Sequence, residues 1–142
     1  MKMEPIYEKS CGAVVWARFD DGVRYLMVQM RKGHVDFAKG HMEPGENELQ
    51  TAAREIWEET GLVVELDPSF RVVTTYSPYP GCIKDVVYFT ARAGDTETTP
   101  QPSEIQSLHW ATLEEARAQL TYDSARDILD QAARYLLAAG EI

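Results

Sequence analysis

The sequence contains 142 residues, of which 44% are hydrophobic and 26% are charged. These ordinary globular values exclude a disordered chain, a collagen-like chain and a small disulfide-bonded scaffold. The length suits one domain spanning residues 1–142. No apolar stretch approaches the ~20 residues that cross a bilayer, and Pro5 and charged residues interrupt the start of the chain, where an export signal needs an apolar segment. We therefore expect no membrane partner.

Acidic residues outnumber basic ones by 23 to 14, which gives a formal net charge of −9. Such a chain repels polyphosphate backbones, so a nucleic-acid polymer is not an expected partner. Clustered carboxylates can instead bind hard divalent cations, and these attract anionic substrates.

The two cysteines, Cys11 and Cys82, are too few for a disulfide framework. They indicate small buried hydrophobic side chains in a reducing cytoplasm.

The first half of the chain predicts two strands, an irregular loop and a helix. Ser10–Phe19 and Arg24–Met30 are rich in strand-forming residues and flank a turn. The segment 33–45 contains several glycines and a proline and follows neither the helical nor the strand period. In Asn47–Thr60, apolar residues recur every three or four positions, which predicts a helix that ends at Gly61.

The second half predicts further strands and two terminal helices. The strands are Arg71–Tyr76, Val86–Ala91 and Ile105–Ala111. A capping-box pattern at Thr112 opens a short helix that runs toward Leu120. One apolar stripe marks a longer final helix: Ala125, Ile128, Leu129, Ala132 and Leu136. This order predicts an α/β or α+β domain with helices covering the faces of a sheet.

Three carboxylates share one face of the first predicted helix. Glu55, Glu58 and Glu59 lie at positions i, i+3 and i+4, and Arg54 is the helix's only basic residue. A bound metal would relieve their repulsion. All-oxygen ligands favour Mg²⁺ or Mn²⁺ over zinc, since the only nearby imidazole is His41. An exposed acidic face explains the helical spacing equally well, so the spacing alone leaves both interpretations open.

The wider pattern separates these two interpretations. Gly40 is followed after five residues by Glu46 and, after seven more, by the segment Arg54–Leu62, whose sequence is REIWEETGL. This pattern matches the Nudix hydrolase signature at every defined position. At ~7% usage for Gly and Glu, seven specified residues coincide on the order of once in 10⁸ placements. The chain therefore resembles the Nudix hydrolase family over nearly its whole length.

The resemblance implies a fold and a reaction. The family fold is an α/β/α sandwich with a mixed sheet flanked by helices. Its members hydrolyse a nucleoside diphosphate linked to another group, with a divalent metal. By this resemblance, Glu58 and Glu59 are the principal metal ligands, and Glu55 is a further ligand or a general base. The Gly40 carbonyl completes part of the metal shell.

The resemblance also implies supporting residues. Arg54 and Glu46 form an ion pair that orients the carboxylates. Glu104 precedes a predicted strand at a position where relatives often supply an extra ligand or base, although it also fits an exposed loop carboxylate. The pattern does not decide which carboxylate is the general base, which phosphorus is attacked or how many metals bind.

A narrower resemblance concerns the segment 33–41, GHVDFAKGH. It is similar to the Trp-x-Phe-Pro-Lys-Gly-His segment of diadenosine tetraphosphate hydrolases, with Val35 in place of Trp and Ala38 in place of Pro. The segments 84–89 and 120–126 are also similar to bacterial members of that group. The resemblance implies five substrate-binding residues. Lys39, His41 and Lys84 would contact polyphosphate oxygens, and Tyr76 and Tyr122 would stack an adenine.

These patterns favour a metal-dependent hydrolase of dinucleoside polyphosphates such as diadenosine tetraphosphate. The alternatives within the family are ADP-ribose, a nucleoside triphosphate and the 5′ end of RNA. An inactive nucleotide-sensing domain is the alternative from another class, and the complete set of signature carboxylates argues against it. A monomer and a homodimer both fit the sequence.

Overall fold

The structure is a computed structural model that describes residues 4–142. Residues 1–3, the start of the segment considered above for an export signal, lie outside the described residues. Within the described range the chain forms seven strands and three helices. The strands are β1 (Ile6–Phe19), β2 (Gly22–Met30), β3 (Val35–Asp36), β4 (Lys39–His41), β5 (Val64–Tyr76), β6 (Cys82–Ala93) and β7 (Ile105–Ala111). The helices are α1 (Glu48–Thr60), α2 (Leu113–Gln119) and α3 (Asp123–Ala138).

The seven strands form one mixed sheet with the central order β3-β2-β1-β6-β5. Strand β4 pairs with β1, and β7 pairs with β2. The β1–β6 pairing is parallel, whereas the other pairings are antiparallel. Strand β1 therefore contacts β2, β4 and β6, which makes it the central strand of the fold.

Helices cover both faces of this sheet. One apolar cluster joins alternate sheet residues to α2 and α3, and includes Val14, Tyr88 and Leu129. A second cluster on the opposite face joins the intervening sheet residues to α1, and includes Val15 and Ile56. The alternation follows from the two-residue period of a strand. This α/β/α sandwich with a mixed sheet is the predicted fold, and the prediction is confirmed.

Local sequence signals fix the limits of α1. The Asn47 side chain accepts a hydrogen bond from the Gln50 amide, and the Gln50 side chain accepts one from the Asn47 amide. This reciprocal pair is a capping box. At the other end Gly61 adopts a left-handed conformation with φ of 74°, and its amide bonds the Trp57 carbonyl. The predicted helix and both of its ends are confirmed.

The structure differs from the sequence predictions in three places. The segment 33–45, predicted to be irregular, contributes the short strands β3 and β4, which pair with β2 and β1. Strand β5 begins seven residues earlier than predicted, at Val64, and its register shifts between Asp67 and Val72. The sequence predicts that all three tryptophans are packing residues, but Trp57 is 58% exposed on α1, so that prediction is wrong for Trp57.

Both cysteine side chains are buried and unbridged, as predicted. Among residues 4–142, no helix combines the length and the apolar character that a bilayer crossing requires.

Candidate active site

The candidate site lies where α1 meets β4. Strand β4 is held against the central strand by antiparallel pairing, with Gly40 opposite Cys11. This pairing fixes Gly40 beside the Glu55 carboxyl group so closely that a Cβ atom at position 40 would lie 2.1 Å from Glu55 Cδ. Only glycine leaves room for that carboxylate. The structure thus brings together the first glycine and the first helical carboxylate of the signature.

Arg54 is the centre of the acidic cluster. Its Nε donates to one Glu46 carboxylate oxygen at 2.7 Å, and its Nη2 donates to the other at 3.0 Å. The Nη2 atom also donates to the His41 carbonyl at 2.9 Å. These hydrogen bonds hold the pKa of Glu46 at about 2. The guanidinium therefore ties the loop before α1 to the helix face that carries the other carboxylates.

Two carboxylates of the helix face also contact this guanidinium. Arg54 Nη1 donates to Glu55 at 2.8 Å and to Glu58 at 3.2 Å. Burial raises the pKa of Glu55, and the Arg54 charge opposes that rise. Glu58 is more open, with 47% of its side chain exposed. One cation thus orients two acidic side chains that would otherwise repel each other.

Glu59 is the buried member of the set. It is 7% exposed, and its carboxylate accepts one hydrogen bond, from the Lys39 amide at 3.2 Å. Burial raises the pKa of Glu59 to about 8, and the Glu55 and Glu104 charges add to the rise. The Lys39 charge offsets only part of this rise, so a bound cation would stabilise the ionised form of this buried carboxyl group.

Glu104 approaches the cluster from a loop that is attached to the end of α1. The Thr99 amide bonds the Thr60 carbonyl at 2.8 Å, and the Gln101 amide bonds the Glu59 carbonyl at 3.2 Å. The Glu104 carbonyl in turn accepts from the Arg31 amide at 2.9 Å. These bonds position the loop so that Glu104 is close enough to affect the charge of Glu59.

These donors fit a hard divalent cation, because they are oxygen atoms and one of the carboxyl groups, that of Glu59, is buried and forms no salt bridge among residues 4–142. Within residues 4–142, no three acidic, imidazole or thiol side chains stand together as a ready-made metal group. The contacts of Arg54 with Glu55 and Glu58 account for the present direction of those two side chains. The metal-ligand roles of Gly40, Glu55, Glu58, Glu59 and Glu104 remain predictions.

A group of basic side chains borders this cluster. Lys84 Nζ lies 3.5 Å from His41 Nε2, and His41 Nε2 lies 3.7 Å from a Glu8 carboxylate oxygen. Burial and the nearby Lys39 charge lower the pKa of Lys84. Glu8, which the sequence analysis did not identify, is the register partner of Lys84 in the sheet. The predicted phosphate-contacting residues are therefore neighbours.

A cavity of about 390 Å³ adjoins the basic group on the α3 face of the sheet. The two tyrosines predicted to stack a base, Tyr76 and Tyr122, both line it. A partly buried packing role also fits Tyr76 from the sequence, but the residue is 47% exposed. Lys39 lines the same cavity, so one residue links the cavity to the carboxylate helix.

Three further residues of the cavity wall bring an aromatic ring or a charge that the sequence did not predict there. His34, which the sequence fits as a surface or strand-edge residue, lies with its ring centroid 6.0 Å from that of Tyr122. Asp36 and Tyr88 also line the cavity, although both are almost fully buried. No local pattern indicated them, because the cavity forms only when β3, β5, β6 and α3 pack together.

The NUDIX domain family model matches residues 9–132 of this chain. A curated relative, the pig bis(5′-nucleosyl)-tetraphosphatase (asymmetrical), is 29% identical over 140 residues, which cover 90% of this chain and 95% of the relative. The 8-oxo-(d)GTP phosphatase of Mycolicibacterium smegmatis is 36% identical over 91 residues, which cover 64% of this chain and 27% of that protein.

A crystal structure of a Caenorhabditis elegans Ap4A hydrolase binary complex superposes with a TM-score of 0.83 at 25% identity. The match covers 92% of this chain and 98% of that one. The predicted class of enzyme, a hydrolase of phosphoanhydride bonds, agrees with this family and these relatives. The chain belongs to the Nudix family, as its signature predicted.

Proposed function

We propose that this protein is a Mg²⁺-dependent hydrolase that cleaves dinucleoside polyphosphates such as diadenosine tetraphosphate, with water attacking phosphorus. The observation that carries the proposal is that Lys39 contacts both the carboxylate cluster and the cavity. Its amide donates to Glu59 in the carboxylate cluster, and its side chain lines the cavity that contains Tyr76 and Tyr122. A nucleotide with its base in the cavity would thus extend its phosphates toward the carboxylates.

The cation would be held by Glu58 and Glu59, with Glu55, Glu104 and the Gly40 carbonyl as further oxygen donors. When bound, a divalent cation neutralises charge on phosphoryl oxygens and makes water a better nucleophile. Glu55 or Glu104 accepts the proton of the attacking water, and Arg54 with Glu46 keeps Glu55 and Glu58 in place.

The chain's own cations bind the rest of the substrate. Lys39, His41 and Lys84 contact polyphosphate oxygens, and the Lys84 ammonium is well suited because burial leaves it poorly solvated. Tyr76 and Tyr122 contact one base through their ring faces. The relatives named bis(5′-nucleosyl)-tetraphosphatase and Ap4A hydrolase support this choice of substrate.

A nucleoside triphosphate is the second candidate substrate, because a relative is named 8-oxo-(d)GTP phosphatase. ADP-ribose and the 5′ end of RNA remain the family alternatives. The monomer or homodimer, the cytoplasmic location and the absence of a nucleic-acid polymer partner stay predictions.

The decisive experiment is a substrate panel with the purified protein, with Mg²⁺, Mn²⁺ or EDTA. We expect diadenosine tetraphosphate to give two nucleotides with a higher kcat/KM than ADP-ribose or a nucleoside triphosphate, and EDTA to abolish turnover. Rapid ADP-ribose or triphosphate hydrolysis with diadenosine tetraphosphate untouched would overturn the choice of substrate.

Single replacements then assign roles within the site. Glu58→Gln should abolish turnover, and full activity in this variant would refute its ligand role. Of Glu55→Gln and Glu104→Gln, the variant that loses roughly 10²–10⁴-fold in kcat while its affinity for Mg²⁺ stays unchanged identifies the general base. Reaction in ¹⁸O-labelled water locates the attacked phosphorus.

A further inference from the structure

Asp36 is the acidic residue in the wall of the cavity that contains Tyr76 and Tyr122. The residue is 7% exposed in β3 and lines the cavity beside Tyr88. A carboxylate this deeply buried is uncommon unless its oxygens have partners. The hydrogen bonds of Asp36 therefore indicate whether the protein alone satisfies it.

The protein uses only part of the hydrogen-bonding capacity of this carboxylate. Its Oδ1 accepts a hydrogen bond from the Phe37 amide at 2.8 Å. Its Oδ2 lies 3.7 Å from Lys39 Nζ, a distance that balances charge but is too long for a hydrogen bond. An ionised carboxylate accepts about four hydrogen bonds, so both oxygens retain capacity. Asp36 is a wall residue of the cavity, so a ligand bound there is next to this free capacity.

The neighbouring side chains keep this acceptor available. Lys39 supplies the charge that makes an ionised Asp36 tolerable beside the apolar core. No hydrogen bond to the Tyr88 hydroxyl occurs among the side-chain bonds of residues 4–142, so that ring adds apolar surface without taking up the carboxylate. The wall also carries donors such as Lys39, Thr74 and Ser124, and Asp36 is its acidic residue. A planar ligand that reaches Asp36 therefore meets a side chain that, when ionised, only accepts hydrogen bonds.

Among the common nucleobases, guanine alone carries two adjacent N–H donors, N1–H and the N2 amino group, on one edge. A carboxylate accepts both in a bidentate pair. Adenine and cytosine present one amino group flanked by a ring nitrogen that is itself an acceptor, and uracil presents one N–H between two carbonyl oxygens. Each of these bases would place an acceptor atom next to a carboxylate oxygen of Asp36. Two acceptors facing each other form no hydrogen bond, which is costly in a buried site.

We propose that Asp36 makes the base site selective for guanine, so that the preferred substrates are guanosine-containing dinucleoside polyphosphates. The proposal rests on the proposed function, since it assigns a base to the same site. It also gives Asp36 a role distinct from that of Lys39, which contacts phosphate whatever the base.

The test compares kcat/KM for diguanosine tetraphosphate and diadenosine tetraphosphate under identical Mg²⁺ conditions. The wild-type protein should prefer the guanosine substrate roughly tenfold or more, the selectivity expected of one bidentate contact to a base. Asp36→Asn places an amino group where one acceptor stood, so the preference should disappear or invert. A structural role for Asp36 alone would lower both values equally and leave their ratio unchanged.

Two further variants serve as controls. Lys84→Met should weaken both substrates without changing their ratio, because it removes a phosphate contact and Lys84 makes no salt bridge with Asp36 within residues 4–142. Asp21→Asn, in the exposed turn before β2, should leave both values unchanged. Turnover of the adenosine substrate also reports whether Asp36→Asn folds.

If Asp36→Asn does not fold, competition of guanosine and adenosine triphosphates for the wild-type protein decides the proposal. Equal kcat/KM values for the two dinucleotides in the wild-type protein, or equal competition, would overturn guanine selectivity and leave the proposed function intact. Cleavage of neither dinucleotide would instead reject the proposed function.

Discussion

The backbone of Gly40 lies directly against the carboxyl group of Glu55. A Cβ atom at position 40 would lie 2.1 Å from both Glu55 Cδ and Glu55 Oε2. Pairing with β1 fixes the glycine, and the core packing of α1 fixes the helix that carries the carboxylate. The contact therefore sets the direction of Glu55, and the least costly response to crowding is rotation of that side chain.

The first prediction is that Gly40→Ala impairs catalysis much more than folding. Displacing Glu55 disturbs a candidate ligand or base, so kcat/KM should fall by about 100-fold or more. The unfolding free energy should change by less than about 2 kcal/mol, because the clash is with the end of a flexible side chain. Steady-state kinetics and urea unfolding measure the two effects.

Gly94→Ala is the matched control for this change. An added Cβ there meets no heavy atom within 4 Å, and the residue does not need a left-handed conformation. Its activity should equal that of the wild-type protein. Full activity in Gly40→Ala would show that the position of Glu55 does not matter for turnover.

The second prediction concerns the bidentate ion pair between Arg54 and Glu46. Glu46→Gln and Arg54→Gln should each lower kcat roughly 10- to 100-fold, as expected for residues that orient ligands. The double variant should lose about as much as either single variant, since each change already breaks the pair. Fully multiplied losses would instead mean that the two residues act independently.

A second bidentate arginine–glutamate pair on the same protein provides the control. Arg71 donates to the two oxygens of Glu48 at 2.8 and 2.9 Å, and it lies outside the carboxylate cluster. Arg71→Gln should therefore leave kcat unchanged. A comparable loss in this variant would attribute the Arg54 effect to general loosening of α1.

The sequence predicted α1 with both ends because its signals are local. Asn47 and Gln50 cap one end and Gly61 the other, and none depends on a distant residue. Strands β3 and β4 escaped prediction because two or three residues hold no period, and their pairing partners lie elsewhere in the chain.

The same distinction applies to the site. Helical spacing correctly placed the three carboxylates on neighbouring turns, and the family signature identified Gly40 and Arg54 with them. It did not reveal that Glu59 is buried while Glu58 is open, because β4 and the loop after Thr99 determine that difference. Asp36 was missed for the same reason.

The third prediction is that the metal-free protein loses stability as pH rises. The folded state raises the pKa of Glu59 from 4.5 to about 8, so between these values the folded protein holds a proton that the unfolded chain releases. The stabilising effect is complete below pH 4.5 and is lost as pH approaches 8. The unfolding free energy should fall by on the order of a few kcal/mol across this window.

Urea unfolding in EDTA at several pH values measures this decline. Glu59→Gln removes the titrating group and should flatten the profile, whereas Glu114→Gln, an exposed change in α2, should retain the wild-type slope. Adding Mg²⁺ near pH 8 should restore stability to the wild-type protein if Glu59 binds the cation. Parallel profiles for wild type and Glu59→Gln would contradict the assigned pKa.

The fourth prediction is that Lys84→Met weakens substrate binding and leaves the chemical step almost unchanged. Lys84 is buried, with 9% of the residue exposed, and no salt bridge neutralises its ammonium within residues 4–142. A polyphosphate would supply that missing negative charge, so KM should rise about tenfold or more while kcat changes less than about threefold. The unfolding free energy without substrate should stay constant or increase, because a poorly solvated charge is removed.

Lys32→Met, in the exposed turn after β2, is the control and should change neither KM nor kcat. A fall in kcat with KM unchanged would place Lys84 in the chemical step, and an unaffected KM and kcat would remove it from the phosphate site.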